Sequence, residues 1–402
     1  RRDLAPDALA SLPRDALVID ALLGAGISGP PREPIASWVR ALARCPATVV
    51  AADVPTGFGT PLSYVPRRTV AFHDAKEGMA EASCGRIVVA DVGIPPEASL
   101  YTGPGEYELY PQGRWDQHKG EGGIVLVIGG GPYTGAPAVA GLAALRAGAD
   151  LAIVLTPRRV WEVVAGYSPN LVVRPLAGEE LDFDDPSNRV TLNTWLKKAH
   201  SVVIGPGLGL FALTQRSVHH AIERATREGL PVVVDADALT ALAERADLLA
   251  GRVVVTPHAK EFANLAGREL PREPRARAEA AREAAKALGA TWLVKGPVDV
   301  VTDGARVKLN ATGHPAMSVA GTGDALAGIV GALLAKRMDP FDAARLGARL
   351  CGEAGERAAA ARSWGLLATD VVERIPEALA ARLPPVSRAP GPGDGLLKHG
   401  IQ

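Results

Sequence analysis

The feature that most constrains this chain is a repeated unit: a short, uninterrupted apolar run that closes on a loop of small or polar residues. Ala16–Asp20, Thr48–Ala52, Arg68–Phe72 and Arg86–Ala90 read this way in the first quarter. Ile124–Ile128, Leu151–Leu155, Val202–Ile204, Val232–Val234, Arg252–Val255 and Thr291–Val294 continue the series. Consecutive rather than alternating apolar residues suit strands of a parallel sheet covered on both faces. Helix-like segments stand between many of them: 35–43, 138–147, 158–165, 214–228 and 272–288. Strand-then-helix order predicts an α/β fold, with mostly parallel sheets and helices on both faces. Val298–Val301 and Val307–Leu309, across Thr302-Asp303-Gly304, predict a short hairpin.

The units form two series. A Gly/Pro-rich stretch over residues 102–122 separates them and sets the expected boundary, with domains at 1–110 and 111–385. Residues 386–402, rich in Pro and Gly with little to bury, are expected to be a loose tail. Lys+Arg and Asp+Glu both total 44, and no basic run occurs, so neither nucleic acid nor an anionic membrane is an expected partner. The 3 cysteines are too far apart for a disulfide framework or a zinc knuckle, which points to a reducing, cytoplasmic setting. The chain begins Arg1-Arg2-Asp3 without an initiating Met, and is expected to start inside a longer gene product.

Chemistry is expected at the carboxyl ends of the strands, where open α/β sheets bind ligands. In the second series five loops stand there: 129–136, 205–209, 256–261, 295–299 and 321–324. Glycines let backbone N–H groups approach phosphates closely. Neither a Walker loop nor a Rossmann fingerprint is present. The segment Ala320-Gly321-Thr322-Gly323-Asp324 opens an apolar helix-like run, Ala325–Ala335. A helix start there aims free N–H groups and partial positive charge at an anion, with Asp324 beside it as a base for a hydroxyl. Read alone, Asp324 suits a helix cap better than catalysis. His258, read alone, suits a structural role, and Lys295 suits either phosphate neutralisation or snorkelling. Asp235 and Asp237 suit either magnesium positioning through water or a helix cap. In the first series Asp20 and Asp53 each close a strand, beside Thr56 and the 24–29 loop. Strand-end turn residues are an equal reading for both.

Sets of motifs narrow these alternatives. V-I-D-A-L-L-G-A-G-I-S-G-P (18–30), A-A-D-V-P-T-G (51–57) and V-V-A-D-V-G-I-P (88–95) resemble the second half of NAD(P)H-hydrate epimerase domains. The resemblance implies a Rossmann-like fold, with Asp20 and Thr56 on a potassium ion. It also implies that Asp53 and the 24–30 loop, including Gly24 and Gly26, contact the hydrated nucleotide. The family's Asn-Asn-Gly-Gly-Asp loop does not occur in this chain, so the domain is expected to be truncated or degenerate and not to epimerise alone.

In the second series H-K-G (118–120), Y-T-G-A-P (133–137), G-P-G-L-G (205–209) and V-D-A-D-A-L (234–239) occur in one order. T-P-H-A-K-E (256–261), V-K-G (294–296) and G-T-G-D-A-L-A-G (321–328) follow. Together they resemble the ADP-dependent NAD(P)H-hydrate dehydratases. The resemblance implies a ribokinase-like three-layer α/β/α domain. It places Ala136, Gly207, His258 and Asp324 on the hydrated dinucleotide, with Asp324 as base. It places Lys295, Gly296, Pro297, Val298, Asp299 and Gly323 on the adenine nucleotide, with the N–H groups of Gly321, Thr322 and Gly323 on the transferring phosphoryl group. ADP and magnesium are the implied cofactors, hydrated NADH or NADPH the substrates, and a homo-oligomer the implied state. Ala320 stands where the family has Gly, and His314 where it has Asn. A ribokinase-like kinase of a small alcohol or vitamin precursor is the competing reading, and a non-catalytic nucleotide-binding protein is the third.

Overall fold

The computed structural model of the chain describes residues 5–27 and 29–384. The expected tail and Ser28 lie outside the described residues. The chain divides into two compact units, Arg1–Ala98 and Ser99–Gln402.

The first unit runs β1 (Leu17–Asp20), α1 (Ile35–Leu42), β2 (Thr48–Ala52), β3 (Arg68–Phe72), α2 (Glu81–Cys84) and β4 (Arg86–Ala90). Its four strands pair in parallel in that order. Val39 and Leu42 of α1 pack with Leu9, Val18, Val49 and Tyr64. The strand pleat sends alternate residues to opposite faces. Val18 therefore meets the α1 side, while Leu17 and Ile19 stand 63% and 66% exposed. The expectation of a sheet covered on both faces fails for this unit, because α1 packs on one face only.

The second unit begins earlier than the expected 110/111 boundary. Tyr101 bridges to Leu309, Thr102 N–H donates to Leu309 O at 2.8 Å, and the Tyr107 hydroxyl donates to Glu353 at 3.2 Å. These contacts fasten residues 99–110 to this unit. It then runs β5 (Ile124–Ile128), α3 (Gly135–Arg146), β6 (Leu151–Pro157), α4 (Trp161–Gly166), β7 (Val172–Leu176) and α5 (Pro186–Leu196). Next come β8 (Ser201–Ile204), α6 (Ala212–Arg227), β9 (Val232–Val234), α7 (Asp237–Leu242), β10 (Val253–Val255), α8 (Ala259–Ala266) and α9 (Pro274–Leu288). The remainder is β11 (Thr291–Val294), the hairpin β12 (Asp299–Thr302) and β13 (Val307–Asn310), then α10 (Thr322–Ala335), α11 (Pro340–Arg362) and α12 (Ala368–Ala380).

The nine strands form one sheet, in the order β13-β12-β11-β10-β9-β8-β5-β6-β7. Only the β11–β12 and β12–β13 pairs are antiparallel. On one face Val125, Val127, Val203 and Val233 pack with α3, α10, α11 and α12. On the other, Leu126, Ile128, Ile204 and Val234 pack with α5, α6, α7, α8 and α9. Two covered faces explain the unbroken apolar runs. Sequence reading misses β7 and α5. β7 is an edge strand carrying Arg174 and Pro175, as edges tolerate. α5 is largely polar, and its start is marked by Asp185, whose side chain accepts from Ser187 and Asn188 N–H groups. α9 begins at Pro274 rather than Arg272, because Glu273 caps it by accepting from Arg275 and Ala276 N–H groups.

α10 is the central helix, and all of Ala325–Ala335 is buried. A helix apolar all round belongs in a core. A Cβ at Gly328 would sit 2.1 Å from Ala140 O of α3, so glycine there is what lets the two helices close up.

Candidate active site

The chain leaves β5 toward β6 and β7, then returns to build β8 to β11 on the other side. The crevice between β5 and β8 is therefore the topological switch point where such sheets bind ligands. The loops after these strands are interlocked: Gly130 N–H donates to Pro206 O at 2.8 Å. Gly207 has φ +70, and a Cβ there would lie 2.3 Å from Tyr133 O and 3.2 Å from Ala136 Cβ. This brings the expected substrate residues Ala136 and Gly207 side by side. The following loops join the same rim. Gly209 N–H donates to Asp237 at 2.8 Å, so Asp237 holds the 205–209 loop.

α10 starts at Gly321, whose φ of +97 only glycine adopts freely, and no side chain caps it. Its first-turn N–H groups therefore stay available for an anion. Gly323 sits against the buried ion pair below: a Cβ there would lie 3.3 Å from Lys295 Nζ and 3.8 Å from Asp235 Oδ2. Lys295 Nζ donates to Asp235 at 2.9 Å, and Thr256 Oγ1 donates to the same oxygen at 2.6 Å. Asp235 is 1% exposed. Burial works against the charge on Lys295, but Asp235, Glu261 and Asp324 more than offset it and hold its pKa above the ordinary lysine value. Among the described residues no donor hydrogen-bonds the Asp324 carboxylate. Burial, reinforced by the negative charge of Asp235 and eased by Lys295, raises its pKa to about 7. A helix cap would show the opposite pattern, with side-chain oxygen taking backbone N–H groups. The cap reading of Asp324 is thus replaced by that of a poised base.

His258 does cap a helix: Nδ1 accepts from Lys260 and Glu261 N–H groups at 3.1 Å each, and its own N–H donates to Glu261 at 2.8 Å. With Nδ1 accepting, Nε2 carries the proton, and the exposed ring offers a donor. Capping and ligand binding therefore coexist in one residue. Asp299 accepts from Gly296 N–H at 2.9 Å and Asn310 Nδ2 at 3.0 Å, which shapes the 295–299 loop. Burial raises its pKa, and the Asn310 bond only partly offsets that. His314 caps the short turn after β13, accepting from Ala316 N–H at 3.1 Å. Thr256 and Asn310 were not singled out in the sequence. Only the register of neighbouring strands shows that they serve Asp235 and Asp299.

In the first unit Asp20 and Thr56 do come together. The Asp20 carboxylate accepts from Thr56 Oγ1 at 2.7 Å, Thr56 N–H at 2.9 Å, Tyr64 OH at 2.7 Å and Leu22 N–H at 3.2 Å. Asp53, at φ 69, ion-pairs with Lys76. Gly24 and Gly26 are exposed, and nothing lies within 4 Å of an added Cβ at either. Beside them Ala25, Ile27, Phe58, Thr60 and Lys76 line an open cavity of about 480 Å³.

Comparison with known proteins agrees with this geometry. Residues 125–377 match the family model described as NAD(P)H-hydrate dehydratase, and residues 3–78 match that of the YjeF-related protein N-terminus. The bifunctional NAD(P)H-hydrate repair enzyme of Hyperthermus butylicus is 41% identical over 389 residues, covering 93% of this chain and 72% of that protein. A ribokinase-like superfamily protein from Enterococcus faecalis superposes with TM-score 0.60 at 24% identity, covering 70% of this chain and 95% of the other. An ADP/ATP-dependent NAD(P)H-hydrate dehydratase from Bacillus subtilis, crystallised with ATP and Mg2+, gives 0.57 at 24%, covering 73% and 100%. Their identity is low enough that they speak for the ribokinase-like fold alone. The family models and the 41% relative go further: a chain matched in both units, in the same order, belongs to the family of bifunctional NAD(P)H-hydrate repair enzymes.

Proposed function

We propose that the second unit dehydrates NAD(P)H hydrate at the expense of ADP, restoring the reduced nicotinamide ring and releasing AMP and phosphate. The observation that carries this reading is the Asp324 carboxylate, desolvated and free of donors beside the uncapped start of α10.

The hydroxyl of the hydrated ring is a poor leaving group. Asp324 takes its proton as the oxygen forms a bond to the β-phosphorus of ADP and the bond to AMP breaks. The N–H groups of 321–324 and the Lys295 ammonium face the charge that grows on the transferring group, a contribution of about 10²–10³-fold per donor. Phosphate then leaves the ring carbon with the C–O bond electrons, and the ring double bond re-forms as a neighbouring proton is lost. Ala136, Gly207 and His258 would hold the dinucleotide, and Lys295 to Asp299 the adenine nucleotide. Magnesium would supply charge neutralisation across the nucleotide phosphates. Asp237, with one oxygen on Gly209 N–H, and Asp235 are the acidic residues that influence Asp324 and would face such an ion through water.

The potassium ion implied at Asp20 and Thr56 does not fit the residues as they stand. Four donors fill the acceptor positions of Asp20, and no step is routed through such an ion. The proposed partners are small molecules, hydrated NADH or NADPH and ADP, with a homo-oligomeric state that sedimentation measures. Among the described residues no helix is long and apolar enough to cross a membrane.

The test is to incubate the protein with ADP and hydrated NADH and follow reduced-nicotinamide absorbance. Its return with stoichiometric AMP and phosphate is expected. A stable phosphorylated product would instead establish a kinase, and no ADP turnover would establish a binding protein.

A further inference from the structure

The start of α9 lies against the β12–β13 hairpin and the 295–299 loop, and a pocket of about 120 Å³ opens between them. It is lined by Pro274, Arg277, Pro297, Val298, Val300 and Leu309, with Arg272 at its rim. Its floor is apolar: Val300 is 1% exposed and Leu309 5%. Arg277 is the charged group in the half-buried part of the wall. One of its donors is used, from Nη2 to Lys295 O at 2.7 Å. Its Nε is buried without a partner, and no carboxylate lies within ion-pair distance of it among the described residues. The guanidinium is also pressed against the nucleotide loop, since a Cβ on Gly296 would fall 2.5 Å from Nη2. A half-buried cation with spare donors, set over an apolar slot, is under-compensated by the protein itself. Burial accordingly lowers the Arg277 pKa, and Asp299 only partly restores it.

We infer that Arg277 is the base-recognition residue of this unit, holding the purine ring of ADP in the slot between Pro297, Val298 and its own planar guanidinium. The slot favours a flat ring with apolar faces and acceptor nitrogens on its edge. A guanidinium matches both properties, by stacking on the face and donating to the edge. A phosphate has no use for Val300 and Leu309, and the start of α10 with Lys295 already provides for anions. By donating to Lys295 O, Arg277 also ties base recognition to the residue whose ammonium pairs with Asp235. The inference rests on the reading of this unit as an ADP-using enzyme.

Calorimetric binding of ADP, GDP and pyrophosphate to the full chain tests it. Arg277→Met should weaken ADP about 10-fold or more, leave pyrophosphate within twofold, and narrow the preference for ADP over GDP. Arg277→Lys, with the charge but not the plane, should behave like Arg277→Met. Should the arginine variants unfold, Val298→Trp narrows the slot from the opposite wall and should weaken ADP without affecting pyrophosphate. Equal losses for ADP and pyrophosphate would show a phosphate contact or a merely structural clamp on Lys295, and would overturn the assignment. Unchanged ADP binding in the Arg277 variants, or in Val298→Trp where that is the variant that folds, would also overturn it. Absence of ADP binding by the wild type would overturn the proposed function instead, so the two failures are distinguishable.

Discussion

Asp20 and Asp324 stand in comparable places, each at the ligand-facing edge of a parallel sheet, and their surroundings are opposite. Asp20 is 2% exposed and accepts four hydrogen bonds, two of them from Thr56 alone. Asp324 has no donor among the described residues, and two further carboxylates, Asp235 and Asp237, add to its burden. A carboxylate saturated with donors is stable as an anion and has no lone pair left for chemistry. One that is desolvated and unpaired gains by accepting a proton. The same residue type therefore braces one unit and reacts in the other.

The strongest challenge to that contrast is Asp324→Asn. Turnover should fall about 10²–10⁴-fold while calorimetric ADP affinity stays within a few-fold. In the wild type kcat should follow the ionised form of Asp324, falling about tenfold per pH unit below about 7. A flat profile from pH 5 to 8 would remove Asp324 from the role of base.

Next in size is Lys295→Met. It strands Asp235 and removes the cation that favours ionised Asp324, so kcat should drop about 10²-fold. The acid limb of the rate profile should also move above 7. A drop in kcat with an unmoved limb would separate phosphate binding from the tuning of Asp324.

Asp20→Ala should act on stability instead. It orphans the Thr56 and Tyr64 hydroxyls and two backbone N–H groups, at a cost of about 3 kcal/mol to the first unit. Faster hydrogen exchange at β1 and β2 amides should report it, with ADP-dependent turnover per folded molecule unchanged.

The smallest effect concerns linkage. The folded-state pKa of Asp324 is raised, so the native state binds more protons than the unfolded chain between about 4 and 7. Its contribution to stability is therefore lost as pH rises through that window. Asp324→Asn should melt higher than wild type at pH 8, and the gap should close toward pH 4. The first unit has no part in this, which makes the comparison sharp.

Much of this architecture is legible in the chain. The unbroken runs Ile124–Ile128 and Val232–Val234 announce strands with both faces covered, because only a two-sided core has use for consecutive apolar residues. The same pattern misleads at Leu17-Val18-Ile19, where the structure covers one face. β7 escapes because an edge strand tolerates Pro175 and Arg174. The glycine loops and Asp324 are legible because glycine at φ +97 or +70 is required by backbone geometry, which leaves a trace in the sequence. Partnerships leave none. Thr256 beneath Asp235, Asn310 behind Asp299 and Arg277 over the Val298 slot are joined by strand register and helix packing, between residues far apart in the chain. The sequence by itself determined the kind of fold and the loops that could meet a nucleotide, since periodicity and glycine are local. Only the tertiary structure decided which carboxylate is satisfied and which is left to react, because that depends on how many donors the folded chain brings to each oxygen.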